Sequence, residues 1–482
     1  MKTLNIKMII KVLGILLLVE SLFMFTGIPF AIYYHESIRP MLLSGIITLL
    51  AGLVFWVLTL KKAKVNIGKR EGFLIVTLAW LTISLFGTLP YLLSQSIHSF
   101  TNAFFETISG FTTTGSSILN DIEILPKNIL YWRALTHWIG GMGIIVLTVA
   151  ILPFLGVGGM QLFVAEMPGI TPDKLHPRIT GTAKRFWGIY VLLTAAEMVL
   201  LYLGGMDFFD SLCHSFATLA TGGFSTSNTS ISGFSPFIQY VIAFFMILAG
   251  TNFTLHYFAL HFKFNKLRHN EEYRVYLALI ILFSLALTIG LIVFMGEGLE
   301  PAFRHALFTV SSILTTTGFV TSNYIIWPSY MWMLVFALMF FGGMAGSTGG
   351  GVKIIRHILL IKNSKLELKR SLHPHAIIPV KYNGKTVNQQ IIFNVMAFFL
   401  LYLFFFALGT FILGLLGLDF ETAIGASIAS LGNIGPGIGG VGPVENYAFI
   451  PDLGKWMLSF LMIMGRLELF TVLVIFSPAF WK

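Results

Sequence analysis

Long apolar runs alternate with short polar connections along the whole chain. Ten runs are extended enough to cross a bilayer as helix, starting near residues 8, 38, 70, 128, 184, 236, 275, 329, 388 and 453, against the roughly 20 residues that a helical span requires. Four connections, those between spans 3–4, 5–6, 7–8 and 9–10, share an internal plan. Each opens with an apolar segment at 102–110, 210–219, 302–313 or 422–431. These are too short to span and are expected to be re-entrant half-helices. A Gly-centred stretch follows each, and polar residues then lead into the next span.

The Gly-centred stretches are TTTGSS around Gly115, ATGGFS around Gly222, TTTGFV around Gly318 and GNIGPG around Gly435, separated by 107, 96 and 117 residues. Recurrence near that length predicts four parts of one structure meeting around an axis. Aligned on the glycine, Ala103, Asp210, Ala306 and Ala423 coincide, as do Ser109, Phe216, Ser312 and Ala429. Irregular backbone at membrane depth is tolerated only against protein or a water-filled cavity. Four such strands would gather carbonyl groups able to replace the hydration shell of a cation, with Thr and Ser hydroxyls beside them. Glycine suits a strand that must turn carbonyls inward through backbone angles that a Cβ resists. The half-helices would aim their partially negative carboxyl ends at the pore centre.

Composition agrees with a membrane setting. Of 482 residues, 56% are hydrophobic and 11% charged, against about 25% charged in soluble domains. Forty-six Phe and nine Trp suit lipid-facing surface and interfacial anchoring. A net charge of +10 first suggests nucleic acid, but 25 of the 31 Lys and Arg lie at the amino terminus, on the connections 2–3, 4–5, 6–7 and 8–9, or at Lys482. The positive-inside rule makes that side, with both termini, cytoplasmic, and nucleic-acid binding loses its support. Asp121, Glu123, Asp207, Asp210, Glu297, Glu300, Asp419, Glu421, Glu445 and Asp452 collect on the opposite connections. Asp419 and Glu421, just before the fourth stretch, are the first candidates for raising the local cation concentration there. The first run, 9–33, follows Lys2 and Lys7 and includes Lys11, as a secretory signal would. It is long, carries Glu20 and lacks a small-residue cleavage site, so it reads as a retained helix. A single cysteine, Cys213, leaves no intramolecular disulfide and no Cys-rich metal site.

Span 8 contains FFGGMAGSTGGGVKIIR at 340–356. Its six glycines, Gly342, Gly343, Gly346, Gly349, Gly350 and Gly351, with Ser347 and Thr348 among them, would break a spanning helix, since each weakens it by about 1 kcal/mol relative to Ala. Close helix packing through small residues is the other reading of the same composition. Lys353 follows, as a barrier to ions or an anchor for the inner end. Arg466 falls inside span 10, where an arginine should face the interior and find a partner. Glu468, two residues on, does not share its helical face, so Arg466 is expected to pair elsewhere. Glu106, in the first half-helix, serves packing or the outer mouth. HWIGGMG at 137–143 lacks the setting and the Lys-Ser/Thr pair of a P-loop, so Gly140, Gly141 and Gly143 read as packing residues. No spacing of His, Asp, Glu and Cys makes a metal site, and enzymatic activity is not expected.

The four strands, the glycine-rich span 8 and Arg466 together resemble the Trk/Ktr/HKT superfamily of potassium (and sometimes sodium) translocating proteins, most closely its bacterial TrkH/TrkG type, over essentially the whole chain. The resemblance implies an all-α polytopic membrane protein of ten spans. Two N-terminal helices in 1–68 would precede four span–pore-helix–span units at 69–165, 180–268, 270–365 and 385–482, set around a central pore. Filter positions carry over onto Thr113, Thr114, Gly115 and Ser116; Ala220, Thr221, Gly222 and Gly223; Thr316, Thr317, Gly318 and Phe319; and Asn433, Ile434, Gly435 and Pro436. Serine in place of the first glycine often accompanies sodium permeability in this superfamily, and four glycines resemble the potassium-selective members. The 342–351 segment would be an intramembrane gate beneath the filter, and Arg466 would restrict ion passage. Also implied are K⁺ bound in the filter with no cofactor, a bacterial inner-membrane location, a homodimer, membrane lipids, and a cytosolic TrkA-type ring of nucleotide-binding regulatory subunits. A Ktr-type sodium-dependent or mixed K⁺/Na⁺ translocator is the alternative within the superfamily. A secondary solute transporter with a midplane site is the alternative outside it.

Overall fold

An uninterrupted apolar run offers its backbone no polar partner but itself, and helix satisfies every N–H and C=O within the run. The computed structural model describes residues 4–60, 68–143, 179–373 and 378–481. Over these the regular structure is helical apart from one hairpin, Lys381–Tyr382 against Lys385–Thr386. Six stretches among the described residues are long and apolar enough to cross a membrane: Ile6–Tyr33, Arg39–Val57, Arg70–Leu93, Lys184–Leu203, Glu271–Met295 and Gln389–Leu415. Their large side chains turn outward: Leu400, Phe404, Phe411 and Leu415 are all more than half exposed. Thr, Ser and several charged groups lie inside instead. That inversion suits a polytopic protein whose exterior faces lipid.

In chain order the helices used below are α1 (Ile6–Phe25), α2 (Arg39–Val57), α3 (Lys69–Gly87), α4 (Phe100–Phe111), α5 (Lys127–Trp138), α6 (Ile179–Leu203), α7 (Phe208–Leu219), α8 (Pro236–Ala249), α9 (Phe253–Leu260), α10 (Glu271–Met295), α11 (Leu299–Leu314), α12 (Ser329–Leu338), α13 (Ile354–Leu372), α14 (Gln389–Leu415), α15 (Phe420–Leu431), α16 (Asp452–Arg466) and α17 (Phe470–Phe476). The first two pack through facing glycines. A Cβ on Gly14 would stand 2.9 Å from Phe55 Cβ, and one on Gly52 would stand 2.9 Å from Gly14 O, the close approach that small residues allow between membrane helices.

The four expected half-helices are α4, α7, α11 and α15, of 12, 12, 16 and 12 residues. Their inner turns are buried, apart from the half-buried Phe216 of α7. Asp207 caps α7 by accepting the Asp210 N–H at 2.6 Å, and Asp419 caps α15 through the Thr422 N–H at 3.0 Å. Such a cap is worth about 1 kcal/mol.

Spans 6 and 10 are not the continuous helices expected. Pro236–Ala249 and Phe253–Leu260 meet at 106°, and Asp452–Arg466 and Phe470–Phe476 at 116°. Span 8 stops at Leu338 and helix resumes only at Ile354, as its glycines predict. In span 4, α5 loosens into a π-helix at Ile139–Gly143; the rest of that span lies outside the described residues, as do Lys174 and Arg178 on the connection after it and Lys2, Lys61, Lys62, Lys64 and Lys482. The changes in spans 4, 6 and 10 fall where the chain passes a half-helix end. Gly140, Gly250 and Gly465 abut the half-helix ends closely enough that a Cβ would strike Phe111 O, Thr315 or Leu431 O, so the chain is glycine where it passes those ends.

Candidate functional site

Each half-helix ends in the same turn. Thr113, Thr221, Thr316 and Asn433 have φ of +52°, +57°, +59° and +53°. The next residue closes a hydrogen bond back over the turn: Thr114 N–H to Ser109 O (2.9 Å), Gly222 to Ala217 (2.8 Å), Thr317 to Ser312 (2.8 Å) and Ile434 to Ala429 (2.8 Å). This is the left-handed helix stop that normally uses glycine. Three β-branched threonines hold it here, a conformation found where surroundings over-determine the backbone.

One residue further, Gly115, Gly223, Gly318 and Gly435 again have positive φ, from +76° to +98°. A Cβ on Gly115 would overlap Gly222 O, one on Gly223 would overlap Thr317 O, and one on Gly318 would overlap Ile434 O. On Gly435 it would stand 2.7 Å from Thr114 O. The four strands therefore approach one another in a closed cycle, first to second to third to fourth and back to first. The geometry corrects one alignment. Gly223, not Gly222, matches the other three glycines, and Ser211 and Ala217 replace Asp210 and Phe216 as the matching helix residues. Gly222 occupies the place of Thr114, Thr317 and Ile434. It is side-chain-free because the His137 ring fills that space, stacked on Phe224 at 4.0 Å between centroids. Ala220 is the capping residue after α7.

Buried polar groups brace the ring from behind. Glu106 accepts the Arg133 guanidinium at 2.7 Å and the Ile118 N–H at 2.9 Å, and Arg133 donates to Ser225 O at 2.9 Å while lying over the Phe224 ring. The pair thus ties the first strand to the second, which assigns Glu106 to packing. Tyr447 donates to Gly435 O and Tyr324 to Gly437 O, each at 2.7 Å. Neither tyrosine stood out in the sequence, since aromatic residues are frequent along the whole chain, and His137 enters that reading only as the first residue of HWIGGMG. Several of the outer acids bond their own surroundings. Besides the two caps, Asp210 accepts the Thr226 hydroxyl at 2.7 Å, and Asp121 and Glu123 bond Asn228. Hydrogen bonds from the Thr422 backbone and hydroxyl hold the Asp419 carboxyl below its usual range.

The glycine-rich segment folds across the half-helix ends. Its neck is closed by Gly342 N–H to Val352 O at 2.9 Å. Gly350 N–H donates to Thr316 Oγ1 at 2.6 Å, and Thr348 Oγ1 donates to Leu219 O and Ala249 O at 3.0 and 3.1 Å. A Cβ on Gly349 would stand 2.9 Å from Thr315 O, and one on Gly350 would stand 2.7 Å from Gly432 O. Gly343 packs on Gly250, Gly346 O accepts the Phe253 N–H at 3.0 Å, and the Ser347 hydroxyl bonds Met344 O at 2.6 Å. Gly351 sits back against Gly342 at the neck. Lys353 Nζ donates to Gly349 O.

Arg466 donates to Thr348 O at 2.8 Å and to Gly140 O and Gly141 O at 2.6 and 2.9 Å. Glu468 pairs with Arg356 instead. The expectation that Arg466 pairs elsewhere holds, but for another reason: the helix ends at Arg466, and Glu468 and Leu469 lie at φ +59° and +47°. Among the described residues no three His, Cys, Asp or Glu gather as a metal site would require.

Residues 38–482 match the family described as TrkH, cation transport protein. The chain is 40% identical to the Trk system potassium uptake protein TrkH of Escherichia coli (strain K12) over 486 residues, covering 99% of this chain and all of that one. It is 35% identical to TrkG of the same strain over 488 residues, covering both chains fully. The crystal structure of the potassium transporter TrkH from Vibrio parahaemolyticus superposes with a TM-score of 0.89 at 36% identity, covering 99% of this chain and 100% of that one. The chain belongs to the TrkH family of cation transport proteins, within the Trk/Ktr superfamily.

Proposed function

We propose that this chain takes up K⁺ across the bacterial inner membrane through the centre of the four-strand ring. The observation that carries the reading is the cyclic approach of Gly115, Gly223, Gly318 and Gly435 to their neighbours' carbonyls. It supports an axis lined by backbone oxygens of Thr113, Thr114, Thr221, Gly222, Thr316, Thr317, Asn433 and Ile434. Such oxygens substitute for the water of a dehydrating cation. That the cation is K⁺ is supported by the names of the relatives and by four glycines, which resemble the potassium-selective members. The 342–351 segment, with Lys353 and Arg466, is the gate on the cytoplasmic side of the filter; its bonds to the half-helix ends support this.

Membership of a cation transport family makes this an inner-membrane transporter and not an enzyme. The finer organisation stays part of the proposal: four units at 69–165, 180–268, 270–365 and 385–482, both termini cytoplasmic by the placement of Lys and Arg, a homodimer, and a TrkA-type nucleotide-binding ring below it. The basic cytoplasmic face suits both such a partner and lipid headgroups.

Ion flux into liposomes holding the purified chain, with K⁺ and Na⁺ varied independently and with or without the ring, tests the reading. K⁺ flux well above Na⁺ flux is expected. Equal fluxes would overturn the selectivity, and no cation flux in any condition would overturn the pore.

A further inference from the structure

We propose that Glu272 is the latch that holds the glycine-rich loop in its closed position, an inference that rests on the reading of that loop as the gate. Glu272 lies in the first turn of α10 and is 2% exposed. Its Oε1 accepts two backbone N–H groups from opposite sides of the loop, Ala345 at 2.8 Å and Ile355 at 3.1 Å. One carboxylate, supplied by another helix, thus bridges two points that flank the segment crossing the half-helix ends.

Both bonds meet a need the loop cannot meet itself. Ile355 is in the first turn of α13, where N–H groups have no partner within the helix, and Lys353 at the cap position makes no side-chain cap bond. An anion at that end also meets the positive end of the helix. Within the loop six glycines leave few side chains to pack, so its position depends on hydrogen bonds. Neighbouring acids act on α13 alone: Glu271 pairs with Lys362 and Glu468 with Arg356. Glu272 is the acid that also reaches the loop. A displacement that moves 345–351 off Thr316 and Leu219 must pull Ala345 from Glu272, leaving a buried carboxylate short of donors. That biases the equilibrium toward the closed arrangement.

The test compares full-length wild type, Glu272→Ala, Glu272→Gln and Glu271→Ala in liposomes, reading basal Rb⁺ flux and the Rb⁺/Na⁺ ratio. Glu272→Ala should raise basal flux about tenfold, equivalent to about 1.4 kcal/mol, with the ion ratio unchanged. Glu272→Gln keeps one acceptor oxygen and should fall between, and Glu271→Ala should match wild type. In a protein already shortened within 342–351, Glu272→Ala should add nothing, an outcome that general loosening would not give. Unchanged flux in a folded Glu272→Ala or Glu272→Gln protein, or additivity with the shortened loop, would overturn the latch. Absence of cation flux from the wild type would overturn the pore reading instead, so the two failures are distinguishable.

Discussion

Gly222 and Gly223 are adjacent and chemically identical, yet the geometry assigns them different constraints. At Gly223, φ is +76° and a Cβ would overlap the Thr317 carbonyl oxygen, a backbone atom of the next strand. Gly223→Ala adds about 1–2 kcal/mol for placing a Cβ in the left-handed region and must shift a filter carbonyl. At Gly222 the obstacle is the His137 ring, held against Phe224, and overpacking of this kind costs about 1–3 kcal/mol. His137→Ala removes that obstacle and no other. The expectation is that His137→Ala restores flux and ion preference to Gly222→Ala, with a coupling of about 0.5–3 kcal/mol, as for residues in contact. Gly223→Ala should lose about tenfold in K⁺/Na⁺ preference, equivalent to about 1.4 kcal/mol, whether or not His137 is present. The assay is Rb⁺ and Na⁺ flux in liposomes at equal gradients, with thermal unfolding in detergent as the folding control. Rescue of Gly223→Ala by His137→Ala, or failure to rescue Gly222→Ala, would refute the register of the second strand.

Glu106→Ala strands the buried Arg133 guanidinium; breaking one side of a buried pair costs about 3–5 kcal/mol, visible as a large drop in the thermal midpoint. Arg466→Ala removes donors from Thr348 O, Gly140 O and Gly141 O and should raise basal K⁺ flux while leaving K⁺/Na⁺ preference in place; an unchanged leak would count against its part in the gate. Asp419→Ala removes the α15 cap and should cost about 1 kcal/mol at neutral pH. Because the folded Asp419 carboxyl titrates below its ordinary value, its contribution is fully present above about pH 4 and is lost as the pH falls through the folded value. The stability gap between wild type and Asp419→Ala should therefore narrow under acid; a gap independent of pH would contradict the cap.

The starts of the long apolar helices, the short helices before the Gly-centred strands and the break between Leu338 and Ile354 were legible because they rest on length, apolar density and glycine content. The breaks in spans 6 and 10 were not. Gly250 and Gly465 are single glycines in apolar runs, and their meaning lies in the half-helix ends they pass, which are far away in sequence. Alignment by sequence sets the second strand off by one residue because ATGG offers two glycines. Only the three-dimensional structure distinguishes the one with positive φ from the one whose Cβ space the His137 ring fills. Arg466 and Lys353 were legible as charges out of place, whereas Glu272 resembled an ordinary acid at the start of a helix.

If the loop is the gate proposed above, it docks against the same half-helix ends that a passing cation would meet. Half-helix carboxyl ends carry unsatisfied carbonyls and partial negative charge, which favours a cation just inside the filter. Those same ends are where the loop docks: Thr348 on Leu219 O, Gly350 on Thr316 and Gly349 beneath Thr315 O. Arg466 adds a full positive charge to the adjoining carbonyls of Gly140 and Gly141. On the proposed reading of the loop as the gate, it stands across the path when docked, and Leu219 O at one half-helix end then already has a donor, the Thr348 hydroxyl. Removing the loop would open space and free acceptors in a single movement. The gate therefore competes with K⁺ for the same electrostatic environment, and internal K⁺ should favour the open loop. Raising K⁺ inside liposomes, at fixed ionic strength, should speed proteolytic cleavage at a site engineered into 345–349, and replacing that K⁺ with a large organic cation should abolish the effect. Cleavage rates independent of the cation would separate gating from ion stabilisation and remove the competition.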